Sequence, residues 1–194
     1  GGTDITNIKV GTFAKATGTG NNAITGVGFQ PDLMLFGCGT VDTVWPSTNT
    51  TAVARLTLGM AKSSMVRGVV HVHEQDGQLV SNTNRYQRTA QCFFITNNPG
   101  ALRDEADFVS MDTDGFTINW ATNAGDAYLI GYVAIKGITS AIGSFNQATA
   151  TGNQATTGVT FQPVGTLFVG FNQTAQTTIQ TEARLTTGVG VSST

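Results

Sequence analysis

Charge and long hydrophobic runs are both scarce in this sequence. Only 11% of its 194 residues are charged, against about a quarter in ordinary globular domains. The 10 lysines and arginines are scattered and the net charge is −2, which argues against a nucleic-acid partner because nothing would neutralise a run of phosphates. No apolar stretch approaches the roughly 18 residues of a membrane-spanning helix, so no membrane segment is expected.

The common catalytic and cofactor motifs are also missing. The sequence has no Gly-x-Ser-x-Gly, no Gly-x-x-x-x-Gly-Lys, and no cysteine with an interpretable histidine partner. The glycine-rich run at 18–22 precedes a strand-like segment, so it lacks the helix dipole that grips phosphate and is predicted to be a turn. We therefore expect a protein that is not an enzyme and binds no cofactor.

What the chain does have is threonine and glycine, which favour β-structure. Threonine supplies 32 of the residues and glycine 24, and 40% of the chain is hydrophobic. Threonine fits pleated surfaces, and glycine fits the turns between strands. Apolar residues recur in short, strand-sized groups, which predicts a packed all-β fold rather than disorder.

A long internal duplication is the strongest signal. Residues 11–31 return as residues 143–163 at a constant offset of 132, with 14 of 21 positions identical. A second block, residues 54–59, matches residues 183–188 at an offset of 129, so the intervening loop is three residues longer in the first copy. The period is that of a whole domain.

The duplication predicts a complete module over residues 1–137 and the N-terminal half of a second copy over residues 138–194. Residues equivalent to 65–137 have no second occurrence. A half sandwich leaves an apolar face and strand edges open. Three explanations stay open: a longer array of modules, completion by another chain through strand addition or swapping, and a fragment.

Along one module, strand-like runs alternate with turn signals every 8–15 residues. Residues 116–120 place Phe, Ile and Trp on one face and Thr and Asn on the other. Asp114-Gly115 directly before this strand predicts a tight turn. Only residues 101–107 suit a helix. About nine strands without a βαβ rhythm predict an antiparallel, jelly-roll-like β-sandwich.

Two groups of residues are weak candidates for metal ligands, although no metal site is predicted outright. His71 and His73 stand two apart on a strand, so their rings face the same side; the alternative is two surface histidines. Asp112 and Asp114 resemble part of a calcium loop, but turn chemistry is the favoured explanation of Asp114-Gly115, and the neighbouring carboxylates have no defined separation for glycosidase chemistry.

Aromatic, arginine and cysteine residues give further candidates. Trp45, in the longer loop, and Trp120 are candidates for sugar stacking or a subunit contact; a tryptophan tucked against the sheet is the alternative. Arg55 recurs as Arg184 within a strand and is expected to face outward or an interface; the alternative is an inward position that faces a carboxylate such as Glu105 or Asp107. Cys38 and Cys92 form a disulfide or remain free thiols.

Several segments resemble an uncharacterised family of tailed-phage virion structural proteins, whose members occur singly or in tandem. The resemblance spans the first module and the available half of the second. The segments that carry it are residues 10–13, 25–32, 105–108, 114–120 and 131–134. The resemblance implies a virion component but no catalytic residues.

A weaker resemblance is to H-type lectins, six-stranded sandwiches that trimerise and bind sugars such as N-acetylgalactosamine. Residues 29–31, 115–117, 120–122 and 128–135 follow their order. The sequence thus predicts a non-enzymatic capsid decoration or tail-fibre module in a virion or extracellular setting. The expected partners are further copies, for instance in a trimer, and other virion proteins. The alternative is a carbohydrate-binding module for glycan attachment.

Overall fold

A computed structural model describes residues 4–39, 53–75, 77, 83–97, 100–171 and 185–192. Every regular element within these ranges is a β-strand. The strands are β1 (Asn7–Ala14), β2 (Gly20–Thr25), β3 (Leu33–Cys38), β4 (Val53–Ser63), β5 (Val66–Gln75), β6 (Asn84–Arg88), β7 (Phe93–Thr96), β8 (Leu102–Asp112), β9 (Gly115–Thr122), β10 (Leu129–Lys136), β11 (Gly165–Phe171) and β12 (Leu185–Val191).

The first ten strands form two antiparallel sheets that pack face to face. The larger sheet has the order β1-β10-β3-β4-β5-β6, and the smaller has the order β2-β9-β8-β7. Strands β3 to β6 are a meander in one sheet, whereas the chain crosses between sheets after β1, β2, β6 and β9. The predicted all-β sandwich is confirmed.

Alternating residues of both sheets fill the space between them. In β3, Met34, Phe36 and Cys38 are buried while their neighbours are partly exposed. In β9, Phe116, Ile118 and Trp120 are buried, as their alternation predicts. Their rings meet at edge-on and tilted angles, for example Phe36 and Phe116 at a centroid distance of 5.5 Å.

Two strands differ from the sequence prediction. β6 was not predicted because Asn84–Arg88 is polar and contains a single apolar ring, that of Tyr86, which is buried. β8 covers the stretch that suited a helix, because Leu102–Asp112 pairs with β7 on one side and β9 on the other. Tertiary pairing thus outweighed local preference.

The Asp114-Gly115 turn prediction is confirmed. β8 and β9 are joined by a two-residue connection, with Asp112 opposite Gly115. The Asp114 carboxylate accepts hydrogen bonds from the backbone N–H groups of Gly26 and Gly28, at 3.0 Å and 2.5 Å. This carboxylate therefore fixes the turn after β2 against the β8–β9 hairpin.

Within the described residues, the second copy retains one pair of strands of the first module. β11 and β12 pair in the same register as β3 and β4: Phe168 lies opposite Gly188 as Phe36 lies opposite Gly59. Five consecutive pairs correspond at the offsets of 132 and 129. The duplication seen in sequence is thus a duplication of strand pairing in this hairpin.

The segments before β11 behave differently from their counterparts. Residues 139–146 and 152–157 correspond to β1 and β2, yet they form no strand. In the first module β1 pairs with β10 and β2 pairs with β9, strands that residues 138–194 do not repeat. An isolated strand has no partner for its backbone groups, which explains the difference.

Candidate functional site

The outward face of the larger sheet is apolar. The outward positions are those that alternate with the buried core residues on β1, β10, β3, β4 and β5. Val10 is 70% exposed and Ile8 57% exposed, while the others are partly exposed. Val70, opposite Leu58, also stands at an outward position but is buried. The exposed or partly exposed apolar residues at the outward positions include Ile8, Val10, Leu33, Leu35, Leu56, Leu58, Met60, Val72, Val133 and Ile135. We call this set the apolar face.

The apolar face is continuous because its residues stand side by side on paired strands. Val10 lies opposite Val133, and Val133 lies opposite Leu35. Two charged residues, Lys62 and Glu74, stand at outward positions near the ends of β4 and β5. Gly37 lies between the larger side chains, and open space lies where its Cβ would be, so the surface has a shallow apolar depression there.

The outer face of the smaller sheet has the opposite character. Asn21 and Asn119 stand opposite each other there, and the Asn119 amide donates a 2.8 Å hydrogen bond to Asn21. Thr117 Oγ1 donates to Asp112 Oδ2 at 2.6 Å. A sandwich in water usually solvates both outer faces, so the apolar face is unusual for an outer surface and is a candidate contact site.

Sequence reasoning missed the apolar face, although a signal for it exists. Residues 33–36 read Leu-Met-Leu-Phe, without the polar alternation of a half-solvated strand. A continuous apolar strand indicates burial on both sides. Arg55, which was expected to face outward, instead donates from Nε to the Thr96 carbonyl oxygen at 3.1 Å on the inner side, so that prediction is wrong.

His71 and His73 are buried rather than on the surface, so the surface interpretation is wrong. They share a face as predicted, but it is the inner one. His71 Nε2 lies 3.2 Å from the Thr96 backbone N–H, which donates to it. His71 Nδ1 lies 2.9 Å from Thr57 Oγ1, and that hydroxyl donates to the Phe94 carbonyl oxygen. Nδ1 therefore carries the proton, and both nitrogens are occupied.

His73 stands in a less satisfied position. Neither of its nitrogens has a hydrogen-bond partner among the described residues, and the same holds for the side chain of Asn84 opposite it. Arg55 lies opposite His73 on the other side. Burial and this guanidinium lower the pKa of His73 to about 4, and burial with the His73 and Arg55 charges lowers the pKa of His71 to about 3.

These lowered pKa values predict that acid destabilises the fold. In the unfolded chain the histidines titrate near 6.5, so between pH 6.5 and about 4 the unfolded state binds more protons than the folded one. The free energy of unfolding should therefore be fully retained above pH 6.5 and fall as the pH is lowered. Each histidine contributes up to about 1.4 kcal/mol per pH unit. Urea unfolding at pH 7.5, 6 and 5 measures the slope.

The variant His73→Leu is the control for this slope. It removes one titrating group and two unsatisfied polar atoms, so the stability should depend less steeply on pH while the fold is retained. A slope identical to that of the unchanged chain would show that His73 is protonated as easily in the folded state as in the unfolded one.

The remaining candidate metal ligands serve the fold. Asp112 Oδ1 accepts from Ser110 Oγ and Oδ2 accepts from Thr117 Oγ1, both at 2.6 Å, and Asp114 holds Gly26 and Gly28 as described. Within the described ranges, no group of three or more histidine, cysteine, aspartate or glutamate side chains is placed to hold a metal ion.

Trp120 is wholly buried, so its proposed role as a sugar-stacking or subunit-contact residue is wrong. Its ring packs edge-on against Phe93 at a centroid distance of 5.5 Å, and its indole Nε1 lies 3.4 Å from Asn22 Oδ1. The other candidate, Trp45, lies outside the described residues, as does Arg184.

A buried ion pair lies beside Trp120. Lys15 Nζ is 3.3 Å from Asp104 Oδ1, and both side chains are fully buried. The ammonium group also donates to Asn123 Oδ1 at 2.5 Å and to the Asp126 carbonyl oxygen at 2.9 Å. It lies 5.3 Å from the Trp120 ring centroid. Every proton of the ammonium group is therefore engaged within the fold.

Asp104 is held as closely as the lysine that it faces. Tyr128 donates its hydroxyl to Oδ2 at 2.9 Å, and the Ala124 backbone N–H donates to Oδ1 at 2.8 Å. Arg103 Nε lies 3.3 Å from Asp104 Oδ2, and the Arg103 guanidinium also pairs with the Asp126 carboxylate. Burial and the Asp104 charge raise the pKa of Tyr128. The polar groups of this network bond to one another. The network therefore connects β8 to the segment after β1 and to the segment before β10.

The two cysteines are buried, and no disulfide joins them in this structure. Cys92 lies in the core, and burial raises the pKa of its thiol, which makes it a poor nucleophile. Within the described part of the chain, no helix is long and apolar enough to cross a membrane. No protein-family model, curated protein or solved structure matches the sequence.

Proposed function

We propose that this chain is a non-enzymatic structural component of a phage particle, a capsid decoration or a tail or fibre module, which assembles through its apolar face. The observation that carries the assembly role is the contrast between that face and the hydrogen-bonded polar face of the smaller sheet. Exposed contiguous apolar surface is typical of protein–protein contact sites. The phage setting rests on the sequence resemblance.

The occupant that best fits the apolar face is a second copy of this chain. An apolar sheet face with charges only near the ends of β4 and β5 presents little that repels its own copy, and closed homo-oligomers are built from such self-complementary patches. The second copy of the hairpin repeats part of the surface, with Leu167 52% and Val189 82% exposed at the positions of Leu35 and Met60. Gly165 and Thr187 stand at the positions of Leu33 and Leu58, so one chain carries a part of the contact surface twice.

Charge placed on the apolar face tests the assembly role. Val10→Asp and Leu35→Asp should shift the sedimentation coefficient from an oligomer to a monomer, because an interface must then bury an unpaired carboxylate. Ala23→Asp is the matched control, since Ala23 is exposed on the polar outer face of the smaller sheet. It should leave the oligomer intact.

Two results would contradict the assembly role. One is an unchanged chain that stays monomeric up to its solubility limit. The other is an oligomer that Ala23→Asp dissociates as readily as Val10→Asp does. Circular dichroism of each variant shows whether the sandwich is retained.

The phage setting needs its own experiment. An antibody against the chain should bind, in electron micrographs, to purified tailed-phage particles whose genome encodes the chain, because a structural component stays with the particle. Absence of the chain from purified particles would overturn the virion assignment while leaving the assembly result in place.

Glycan binding is the alternative proposal, and only one of the two tryptophans predicted for it is still a candidate. Trp120 is in the core, so only Trp45 remains to stack on a sugar. A glycan array read with the unchanged chain and with Trp45→Ala separates the two roles: saccharide binding that depends on Trp45 would favour the lectin-like function.

A further inference from the structure

Core residues of the first module have exposed counterparts in the second copy. Phe145 is 50% exposed, Val159 40% and Phe168 42%, whereas the equivalent Phe13, Val27 and Phe36 are 8%, 4% and 4% exposed. The rings of Phe145 and Phe168 contact each other edge-on at 6.0 Å. These side chains carry the hydrophobicity of a core without its cover.

The first module shows what that cover is. Phe13 packs against Phe116 and Tyr132 at ring distances of 5.7 Å and 6.4 Å, and Phe36 packs against Phe108 and Phe116. These covering rings belong to β8, β9 and β10. The same strands supply the backbone partners of β1 and β2, whose counterparts in the second copy form no strand.

A glycine gives independent evidence. At Gly59 a methyl group would overlap the backbone carbonyl oxygen of Cys92, just before β7, so the two sheets meet there without room for a side chain. Gly188 is its counterpart, and a methyl group there would meet only the Phe168 ring at 3.9 Å. The present surroundings of Gly188 leave room for a side chain. A glycine would be required there only if a backbone carbonyl oxygen lay against it, as that of Cys92 lies against Gly59.

We propose that the described part of the second copy, residues 138–171 and 185–192, forms a binding surface for one kind of partner, a polypeptide that carries the strand set of residues 66–136. The partner supplies a β9-like strand to residues 152–157 and a β10-like strand to residues 139–146, with aromatic side chains at the positions of Phe108, Phe116 and Tyr132. Binding completes a second sandwich by strand addition. The identity of 14 of 21 residues between the segments 11–31 and 143–163 selects this partner over an unrelated apolar one.

The proposal is tested by adding a second copy of residues 66–137 directly after Thr194. Position 194 corresponds to residue 65 at the offset of 129, so no linker is needed. Hydrogen exchange read by mass spectrometry should show backbone amides within residues 139–157 unprotected in the 194-residue chain and protected in the extended chain. Peptides from this segment differ in sequence from those of residues 7–25, so their signals are separate.

Gly188→Ala supplies the decisive comparison. In the 194-residue chain it should change nothing, because the added methyl group meets only the Phe168 side chain, at an ordinary contact distance. In the extended chain it should abolish protection of residues 139–157, as the new carbonyl would now be in its way. Gly170→Ala is the matched control: its counterpart is Cys38, which has a side chain, so alanine should be tolerated in both chains.

Two outcomes overturn the proposal. Residues 139–157 that remain unprotected in the extended chain would show that the added strands do not bind them. Protection already present in the dilute 194-residue chain would show that this segment is covered without any added strand set. The same hydrogen-exchange measurement can be made on the Val10→Asp variant, in which assembly through the apolar face is blocked. Both outcomes can therefore be tested independently of that face.

Discussion

Gly59→Ala is expected to lower the free energy of unfolding of the first module by about 3 kcal/mol or more. Gly59 lies on the inner side of β4, where its Cα faces the backbone of Cys92 just before β7. The obstacle to an added methyl group is a main-chain carbonyl, which cannot rotate away as a side chain can. Relief requires the sheets to separate locally, and that loosens the packing of Phe36 beside Gly59.

Urea unfolding followed by tryptophan fluorescence measures this effect, since Trp120 reports on the core. Gly68→Ala is the matched control, because an added methyl group there would meet only the Arg88 carbonyl oxygen at 3.5 Å, an ordinary contact. It should change the free energy of unfolding by less than about 1 kcal/mol. Equal effects of the two substitutions would show that the close approach of the sheets at Gly59 has no energetic importance.

The sandwich itself could be predicted because its strands carry local signals. Alternation in residues 116–120 and the Asp114-Gly115 turn identify β9 and its hairpin without reference to the rest of the chain. β6 carries no such signal. Its residues are strand-forming only because β5 offers backbone partners and because Tyr86 packs beside the Phe94 ring, 4.9 Å away.

The inner polar residues could not be placed from sequence for a related reason. A histidine on a strand reads as solvent-facing, since burying a polar ring is costly unless its nitrogens are bonded. His71 escapes that cost through Thr57 and Thr96, which lie 14 and 25 residues away in sequence. Only the arrangement of β4, β5 and β7 brings the three together. Trp120 is the opposite case: its alternation with Phe116 and Ile118 already indicated the core.

The apolar face and the second copy raise the same physical question, because each is a surface whose composition suits burial. For the second copy the answer is available within the chain, since residues 66–136 show which strands cover an equivalent surface. For the apolar face the chain offers no such covered counterpart among its described residues. Only the charge and shape of the apolar face indicate its partner. The apolar face and the surface of the second copy therefore need separate experiments.

Asp104→Asn is expected to destabilise the first module by about 3–5 kcal/mol, because it leaves the buried Lys15 ammonium without its carboxylate. The amide introduced by this substitution has one oxygen where the carboxylate has two, so it can accept from Tyr128 or from the Ala124 N–H but not from both, and the loss combines the charge with one hydrogen bond. Asp126→Asn is the matched control: Asp126 is 46% exposed and pairs with Arg103 at the surface, and such pairs contribute about 1 kcal/mol at most.

The partner substitution separates the charge from the packing. Lys15→Met in the Asp104→Asn background removes the uncompensated ammonium and keeps a side chain of similar length against the Trp120 and Tyr128 rings. The double variant should therefore be more stable than Asp104→Asn alone, and urea unfolding of all four chains of the cycle gives the coupling energy. A double variant less stable than either single one would mean that Lys15 acts through its hydrogen bonds to Asn123 and Asp126, and that Asp104 is incidental to it.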